Sequence, residues 1–137
     1  MKAAKEQKAS EYPEDLVFTR RHVWAQPDLE SHTALVGITD YLADELGAID
    51  SIEVPAVGDE LELESICIHI HVGNHVRAFR CPLTGRVLEV NQDVIDDPTS
   101  IYMDYQGSWL FKMQFDDEAE LGLLMNGAQY AKYLDEL

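Results

Sequence analysis

Three residues that can bind metals, Cys67, His69 and His71, alternate along the segment ICIHIHV. Alternate side chains of a β-strand point to the same face, so this pattern puts one thiol and two imidazoles on one side, with His75 nearby. These groups suit zinc, copper or nickel, but same-face neighbours lie about 7 Å apart, wider than the roughly 3 to 4 Å between ligand atoms at a tetrahedral zinc. We therefore favour a polar solvent face and keep Cys67, His69 and His71 as candidate metal ligands only.

The same segment leads into Gly73 and Asn74, after which a second strand, VRAFRC, runs back. Gly-Asn is a favoured two-residue hairpin turn because both residues tolerate positive φ. The register that follows predicts four pairs, namely Val72 with His75, Ile70 with Arg77, Ile68 with Phe79, and Ile66 with Cys81. The predicted core face consists of Ile66, Ile68, Ile70 and Phe79, while Cys67 and Cys81 are expected on opposite sides and unbridged.

No catalytic residues are predicted. Ser65, His69 and Asp59 have the residue types of a hydrolytic triad, but no spacing places the nucleophile beside its base. His22 is expected to pack against the sheet. The chain also lacks a phosphate-binding loop, a nucleotide-binding glycine motif and paired CxxC zinc motifs, so we expect a protein that is not an enzyme.

Composition limits the remaining functions. A chain of 137 residues with 46% hydrophobic residues suits one domain. The net charge of −16, from 26 acidic and 10 basic residues, would repel nucleic acid. No run approaches the roughly 18 apolar residues of a membrane span, and the first 15 residues lack an apolar signal core, so no membrane partner is expected. Two cysteines fit a reducing compartment, and we expect a cytoplasmic protein.

The predicted secondary-structure elements are mainly β-strands. Residues 1 to 15 are polar and predict a flexible leader, and residues 16 to 137 a single domain. Short runs rich in β-branched residues, separated by turn residues, predict strands at 16–25, 33–38, 48–54, 59–65, 66–72, 76–81, 85–90 and 108–115. A short helix is predicted at 39–47, capped by Thr39, then a loop at 94–107 and two C-terminal helices, at 116–125 and 126–137. This succession of short strands separated by turns is typical of a small β-barrel or β-sandwich.

Five segments together resemble the glycine cleavage system H protein family. They match, in order and at the expected spacing, the family's Tyr-Thr-x-x-His-x-Trp, Gly-Ile-Thr and helix, Pro-x-Val-Gly-Asp, Ser-Pro-x-x-Gly-x-Val-x-x-Val-Asn and Gly-Trp-Leu patterns. In this chain they read FTRRHVW (18 to 24), VGITDYLADELGAI (36 to 49), VPAVGDEL (54 to 61), CPLTGRVLEVNQDV (81 to 94) and SWLFKMQF (108 to 115). Each segment is weak alone, but the ordered set is specific.

The resemblance implies a lipoyl-domain-like barrel-sandwich hybrid with short flanking helices. In the family, a lysine at a hairpin tip bears lipoate, and this arm accepts an aminomethyl group after glycine is decarboxylated. Counting back without gaps from Pro82 places Asn74 at the position of that lysine. The family motif usually reads Glu-Ser-Val-Lys-Ala, whereas this chain reads His71, Val72, Gly73, Asn74 and His75.

Lipoate is attached through an amide bond to a lysine amine, and the side-chain amide of Asn74 cannot replace that nucleophile. The five lysines are Lys2, Lys5, Lys8, Lys112 and Lys132, so none lies between residues 9 and 111. Lys112 lies in the predicted strand with Trp109, where a structural role is expected. We therefore expect no cofactor-binding residue and no bound lipoate.

Three hypotheses remain. The first is a non-lipoylated homologue that acts as a binding or regulatory module, docking on glycine decarboxylase, aminomethyltransferase or a lipoate-handling enzyme. The second is a protein that binds a metal or small ligand through the hairpin with His69 and His71. The third is an active carrier of glycine cleavage, which the family resemblance supports but which needs a modification site.

Overall fold

The computed structural model describes residues 12 to 137, and two antiparallel β-sheets dominate this part of the chain. Its strands are β1 Val17–Phe18, β2 Val23–Asp28, β3 Thr33–Ile38, β4 Ser51–Glu53, β5 Glu60–Leu61, β6 Ile66–Val72, β7 His75–Arg80, β8 Gly85–Val90 and β9 Phe111–Phe115. Its α-helices are α1 Asp40–Leu46, α2 Gln92–Asp96, α3 Ser100–Met103 and α4 Gly127–Asp135, and a 3-10 helix spans Glu118–Leu123.

The two sheets enclose a common apolar core. The larger sheet has the strand order β1-β2-β3-β9-β8-β5, and the smaller has the order β4-β6-β7. Fully buried side chains from both sheets, among them Val36, Ile68, Ile70 and Phe111, pack in one cluster. This architecture confirms the mainly β prediction, with a short helix before β4 and helical segments near the C-terminus. No helix within residues 12 to 137 is long and apolar enough to cross a bilayer.

The predicted strand at 16–25 is wrong in one respect, because it is two strands. The backbone turns at His22, which has a φ of 70°. The Thr19 amide donates to the carbonyl of Val23 at 2.9 Å, and the Val23 amide donates to the Thr19 hydroxyl at 3.1 Å. This tight turn ends β1, starts β2 and leaves the His22 side chain beside α4.

Two further local predictions need correction. The α-helix predicted at 116–125 is instead the 3-10 helix Glu118–Leu123. Its Glu120 carboxylate accepts hydrogen bonds from the amide and the hydroxyl of Thr84, each at 2.8 Å. The predicted loop at 94–107 overlaps α2 and contains α3, where the Tyr102 hydroxyl donates to the carbonyl of Gly47. In both places a long-range contact holds the backbone in a helical turn that the local sequence signals only weakly.

The C-terminal helix α4 begins as predicted and covers the outside of the larger sheet. Asn126 and Gln129 form a capping box, in which each side chain bonds the other residue's amide at 2.8 Å. A second apolar cluster lies under the helix and consists of Tyr12, Leu16, Phe18, Trp24, Tyr130, Ala131 and Leu134. Residues 1 to 11 of the predicted leader lie outside the described residues, but Tyr12 is buried, so packing extends at least to that residue. The remaining limits of the domain stay a prediction.

A hydroxyl group connects α4 to the start of α1. The Tyr130 oxygen lies 2.8 Å from Nδ1 of His22 and 2.9 Å from the hydroxyl of Thr39. Thr39 in turn accepts a hydrogen bond from the amide of Leu42 and thereby caps α1. Burial lowers the pKa of His22, so the imidazole enters this network in its neutral form.

Replacing Tyr130 by Phe should lower the free energy of unfolding by about 1 to 3 kcal/mol, because two partly or fully buried polar groups lose their partner. The matched control is Tyr133→Phe, whose hydroxyl donates to the carbonyl of Arg20 at the surface. Urea denaturation of both variants measures the difference. Equal losses in the two variants would contradict a structural role for the His22, Tyr130 and Thr39 network.

Candidate functional site

The tip of the β6–β7 hairpin is an exposed part of the smaller sheet. Val72 pairs with His75 across the two-residue turn formed by Gly73 and Asn74. Gly73 has a φ of 59°, which favours glycine, and both turn residues are exposed. No described residue forms a hydrogen bond with the Asn74 side chain, so its amide faces solvent.

Asp50 fixes this turn from outside the hairpin. Its carboxylate accepts a hydrogen bond from the amide of Gly73 at 2.6 Å, and its own amide donates to the carbonyl of His71 at 2.8 Å. Asp50 directly precedes β4, the strand that pairs with β6. The tip is therefore held in one conformation by a residue more than 20 positions earlier, and no local signal in the hairpin sequence indicates this contact.

Near the tip the register agrees with the predicted one, but it changes at Cys67. Ile70 pairs with Arg77, and Ile68 with Phe79, as predicted. A β-bulge between Ile66 and Ile68 then leaves Ile66 opposite Arg80, so the predicted pairing with Cys81 is wrong. The extra residue reverses which side chain points inward. Ile66 is 51% exposed, contrary to prediction, whereas Ile68, Ile70 and Phe79 are buried.

The bulge also moves Cys67 away from the histidines and into the core. Cys67 and Cys81 are both free and buried, and both belong to the apolar core between the two sheets. The prediction that they face opposite sides is therefore wrong. The thiol of Cys81 donates to the carbonyl of Leu83 at 2.9 Å. Hydrogen bonding with Cys81, together with burial, raises the pKa of Cys67, which keeps it a protonated and unreactive thiol.

The three candidate metal ligands do not converge. Cys67 points into the core, the exposed His69 lies on the outer face, and Nε2 of His71 bonds the carboxylate of Glu53. This hydrogen bond lowers the pKa of Glu53. Within residues 12 to 137, no group of three or more His, Cys, Asp or Glu side chains could hold a metal ion.

Two lysines, Lys112 and Lys132, lie within residues 12 to 137, and neither belongs to the β6–β7 hairpin. Lys112 is half-buried in β9, where it pairs with Leu35 of β3 and Glu89 of β8. Lys132 is exposed on α4. The hairpin tip thus presents an amide, an imidazole and a glycine backbone, but no amine.

Comparison with known proteins assigns the family. The family model described as glycine cleavage H-protein matches residues 16–137. The chain belongs to the glycine cleavage H-protein family. Members of this family are carrier proteins and not enzymes, in agreement with the prediction, and the resemblance seen in five sequence segments is confirmed.

Curated relatives match over almost their whole length. The chain is 39% identical to the probable glycine cleavage system H protein of Pyrococcus abyssi, over 90% of this chain and 92% of the relative. It is 36% identical to the glycine cleavage system H protein of Halothermothrix orenii, over 91% and 97%. The crystal structure of an H protein from Mycobacterium marinum has a TM-score of 0.77 and 26% identity, over 91% of this chain and 99% of that one. The barrel-sandwich fold expected from the resemblance is therefore confirmed.

Zinc or nickel should bind this H-protein homologue weakly and without a stoichiometric plateau, because His69 and His71 lack a converging third ligand. His69→Ala and His71→Ala should weaken the binding further. Cys67→Ser should leave it unchanged, since that side chain faces the core. Isothermal titration measures all four proteins, and tight stoichiometric metal in the native protein would overturn this interpretation.

Proposed function

We propose that this chain is a non-lipoylated H-protein homologue, which docks on enzymes of glycine cleavage or of lipoate handling without carrying an aminomethyl group. One observation carries the proposal. Asn74 occupies the exposed tip of an intact β6–β7 hairpin, at the position that the family resemblance assigns to the lipoyl lysine. The hairpin that a carrier needs is present, but the lysine to which lipoate would be attached is missing.

The chemistry of attachment supports this proposal. Acylation of lysine uses the free electron pair of an amine, whereas the nitrogen pair of an Asn amide is delocalised into its carbonyl. No covalent bond to lipoate is therefore expected at Asn74. A lysine elsewhere would have to meet the attaching enzyme on an exposed turn, and Lys112 lies half-buried within a central strand.

Docking is the part of carrier function that does not need a lysine. A carrier must fit its partner enzymes through its folded surface, and this chain keeps the family fold over residues 16–137. Its net charge of −16 would attract a basic partner surface and speed association. We infer that the partners are glycine decarboxylase, aminomethyltransferase or a lipoate-handling enzyme. A cytoplasmic location would suit the two free buried cysteines.

An active carrier is the second candidate, and the names of the relatives favour it. The relatives from Pyrococcus abyssi and Halothermothrix orenii are named probable glycine cleavage system H protein and glycine cleavage system H protein. A carrier function for this chain requires lipoate on a residue other than Asn74. The intact mass of the protein therefore distinguishes the two candidates.

Incubated with lipoate, ATP and a lipoate ligase, the wild-type protein should keep its unmodified mass, because the hairpin tip offers no amine. Asn74→Lys alone should restore little modification, since the Glu of the family motif is replaced by His71. Intact mass spectrometry measures both. A lipoyl adduct on the wild-type chain would overturn the non-carrier proposal.

The positive control rebuilds the motif with His71→Glu, Val72→Ser, Gly73→Val, Asn74→Lys and His75→Ala, and this variant should accept lipoate. Gly73 has a φ of 59°, so Val at this position requires the turn to relax. A second variant, His71→Glu with Asn74→Lys, therefore retains Gly73. Circular dichroism confirms folding of both variants. If both fold and neither is modified, the hairpin does not correspond to the family's carrier hairpin.

Docking is measured by biolayer interferometry with purified glycine decarboxylase, aminomethyltransferase and lipoate ligase. We expect the wild-type chain to bind at least one of them, with affinity that falls as salt screens its acidic surface. The rebuilt variant with lysine at residue 74 is the matched control and should bind equally well, since docking needs no arm. Failure of the wild type to bind any of the three enzymes contradicts the docking proposal.

A further inference from the structure

A cleft of about 460 Å³ opens at the end of β7 that lies opposite to the hairpin tip. Four separate parts of the chain form it. They are the end of β1 with the turn that follows it, the segment before β6, the last residue of β7, and the end of the 3-10 helix with the two residues after it. The lining residues are Phe18, Thr19, Arg20, Arg21, Leu63, Glu64, Arg80, Leu123, Leu124 and Met125. Its volume lies in the range of small-molecule sites.

Part of the lining of this cleft is apolar. Phe18 is fully buried and leaves no surface exposed, whereas Leu63, Leu124 and Met125 are only partly buried. The backbones of Phe18 and Met125 bond each other in both directions, at 2.7 and 2.8 Å, which fixes two of the four lining segments side by side. Leu123 lies at the edge and is 71% exposed. These side chains offer an apolar surface to an alkyl group.

The lining of the cleft is also basic, in a chain that is otherwise strongly acidic. Arg20, Arg21 and Arg80 account for three of the ten basic residues, against 26 acidic ones. Among residues 12 to 137, the arginine that forms an ion pair is Arg86, with Glu60, and none of the three in the cleft has a carboxylate partner. A bound anion would give these three guanidinium groups the negative partner that they lack among the described residues.

Arg80 is held in place before any ligand binds. Its Nη1 donates to the backbone carbonyl of Glu64 at 2.7 Å, which leaves its other N–H groups free to donate. Glu64 has a φ of 72°, and its amide donates to the carbonyl of Cys81 at 3.0 Å, so the carbonyl that orients Arg80 is itself fixed. Glu64 also lines the cleft, and three guanidinium groups outnumber its single carboxylate.

We propose that this cleft binds an amphipathic organic anion, a carboxylate or phosphate joined to an apolar chain. The planar guanidinium groups match the oxygens of such a head group, and the accessible apolar side chains of Leu63, Leu123 and Met125 accept the chain. A cation would be repelled, and a purely polar anion would leave these apolar side chains unused. The inference concerns a site away from Asn74 and holds whether or not the chain carries lipoate.

Octanoate and octyl phosphate are the probes, titrated into the full-length protein and followed by amide chemical shifts in nuclear magnetic resonance. Both should bind saturably and shift the amides of Thr19 to Arg21 and of Leu123 to Met125. The probe that binds more tightly shows whether the site prefers a carboxylate or a phosphate head group. Octylamine tests the need for negative charge and acetate the need for an apolar chain. If either control binds as tightly as octanoate and octyl phosphate, or if neither probe saturates, the proposal is overturned.

Variants test the residues directly. Arg80→Gln should weaken binding of the preferred probe about tenfold, the loss expected for one charge-assisted hydrogen bond. Arg86→Gln makes the same change of charge outside the cleft and should leave the affinity unchanged. Leu123→Ser, at an exposed position, should weaken the octyl probes without unfolding the protein. If Arg80→Gln proves unstable, Arg20→Gln replaces it, and equal affinities in the cleft and control variants overturn the assignment.

Discussion

The register of β6 against β7 is the constraint on which the rest of this structure depends. The two-residue turn at Gly73 and Asn74 sets which residues meet across the hairpin, and side chains alternate between faces from that point. Ile68, Ile70 and Phe79 therefore enter the core, while the tip remains outside it. At the far end of the hairpin, a bulge at Cys67 ends the regular pairing and brings Arg80 beside the segment before β6.

In this member of the H-protein family, the packing that stabilises the fold does not involve the residue at the hairpin tip. Burial of apolar side chains from two sheets, and capping of α1 and α4 by Thr39 and Asn126, stabilise the barrel without any contribution from the tip. The residue at the exposed tip can therefore change at little cost to folding. The arginine cleft is a surface whose charge is opposite to that of the whole chain.

Much of the fold and part of the candidate site were predictable, because they depend on residues close together in sequence. Thr39 and Asn126 cap the helices that they directly precede, and the Gly-Asn turn closes the strands on either side of it. The family resemblance required only that five segments occur in order. The absence of lysine between residues 9 and 111 is also a property of the sequence alone.

Tertiary structure decided the features that join distant residues. The alternation of ICIHIHV implies one regular strand, but the folded hairpin contains a bulge that turns Cys67 inward and Ile66 outward. Asp50 reaches Gly73 because β4 pairs with β6, and Arg20 approaches Arg80 because the two sheets meet at that end. Such contacts depend on how the sheets pack, which local sequence patterns do not encode. The sequence alone thus determined that the hairpin tip has no lysine. The packing of the sheets decided that the candidate metal ligands lie apart and that three arginines line one cleft.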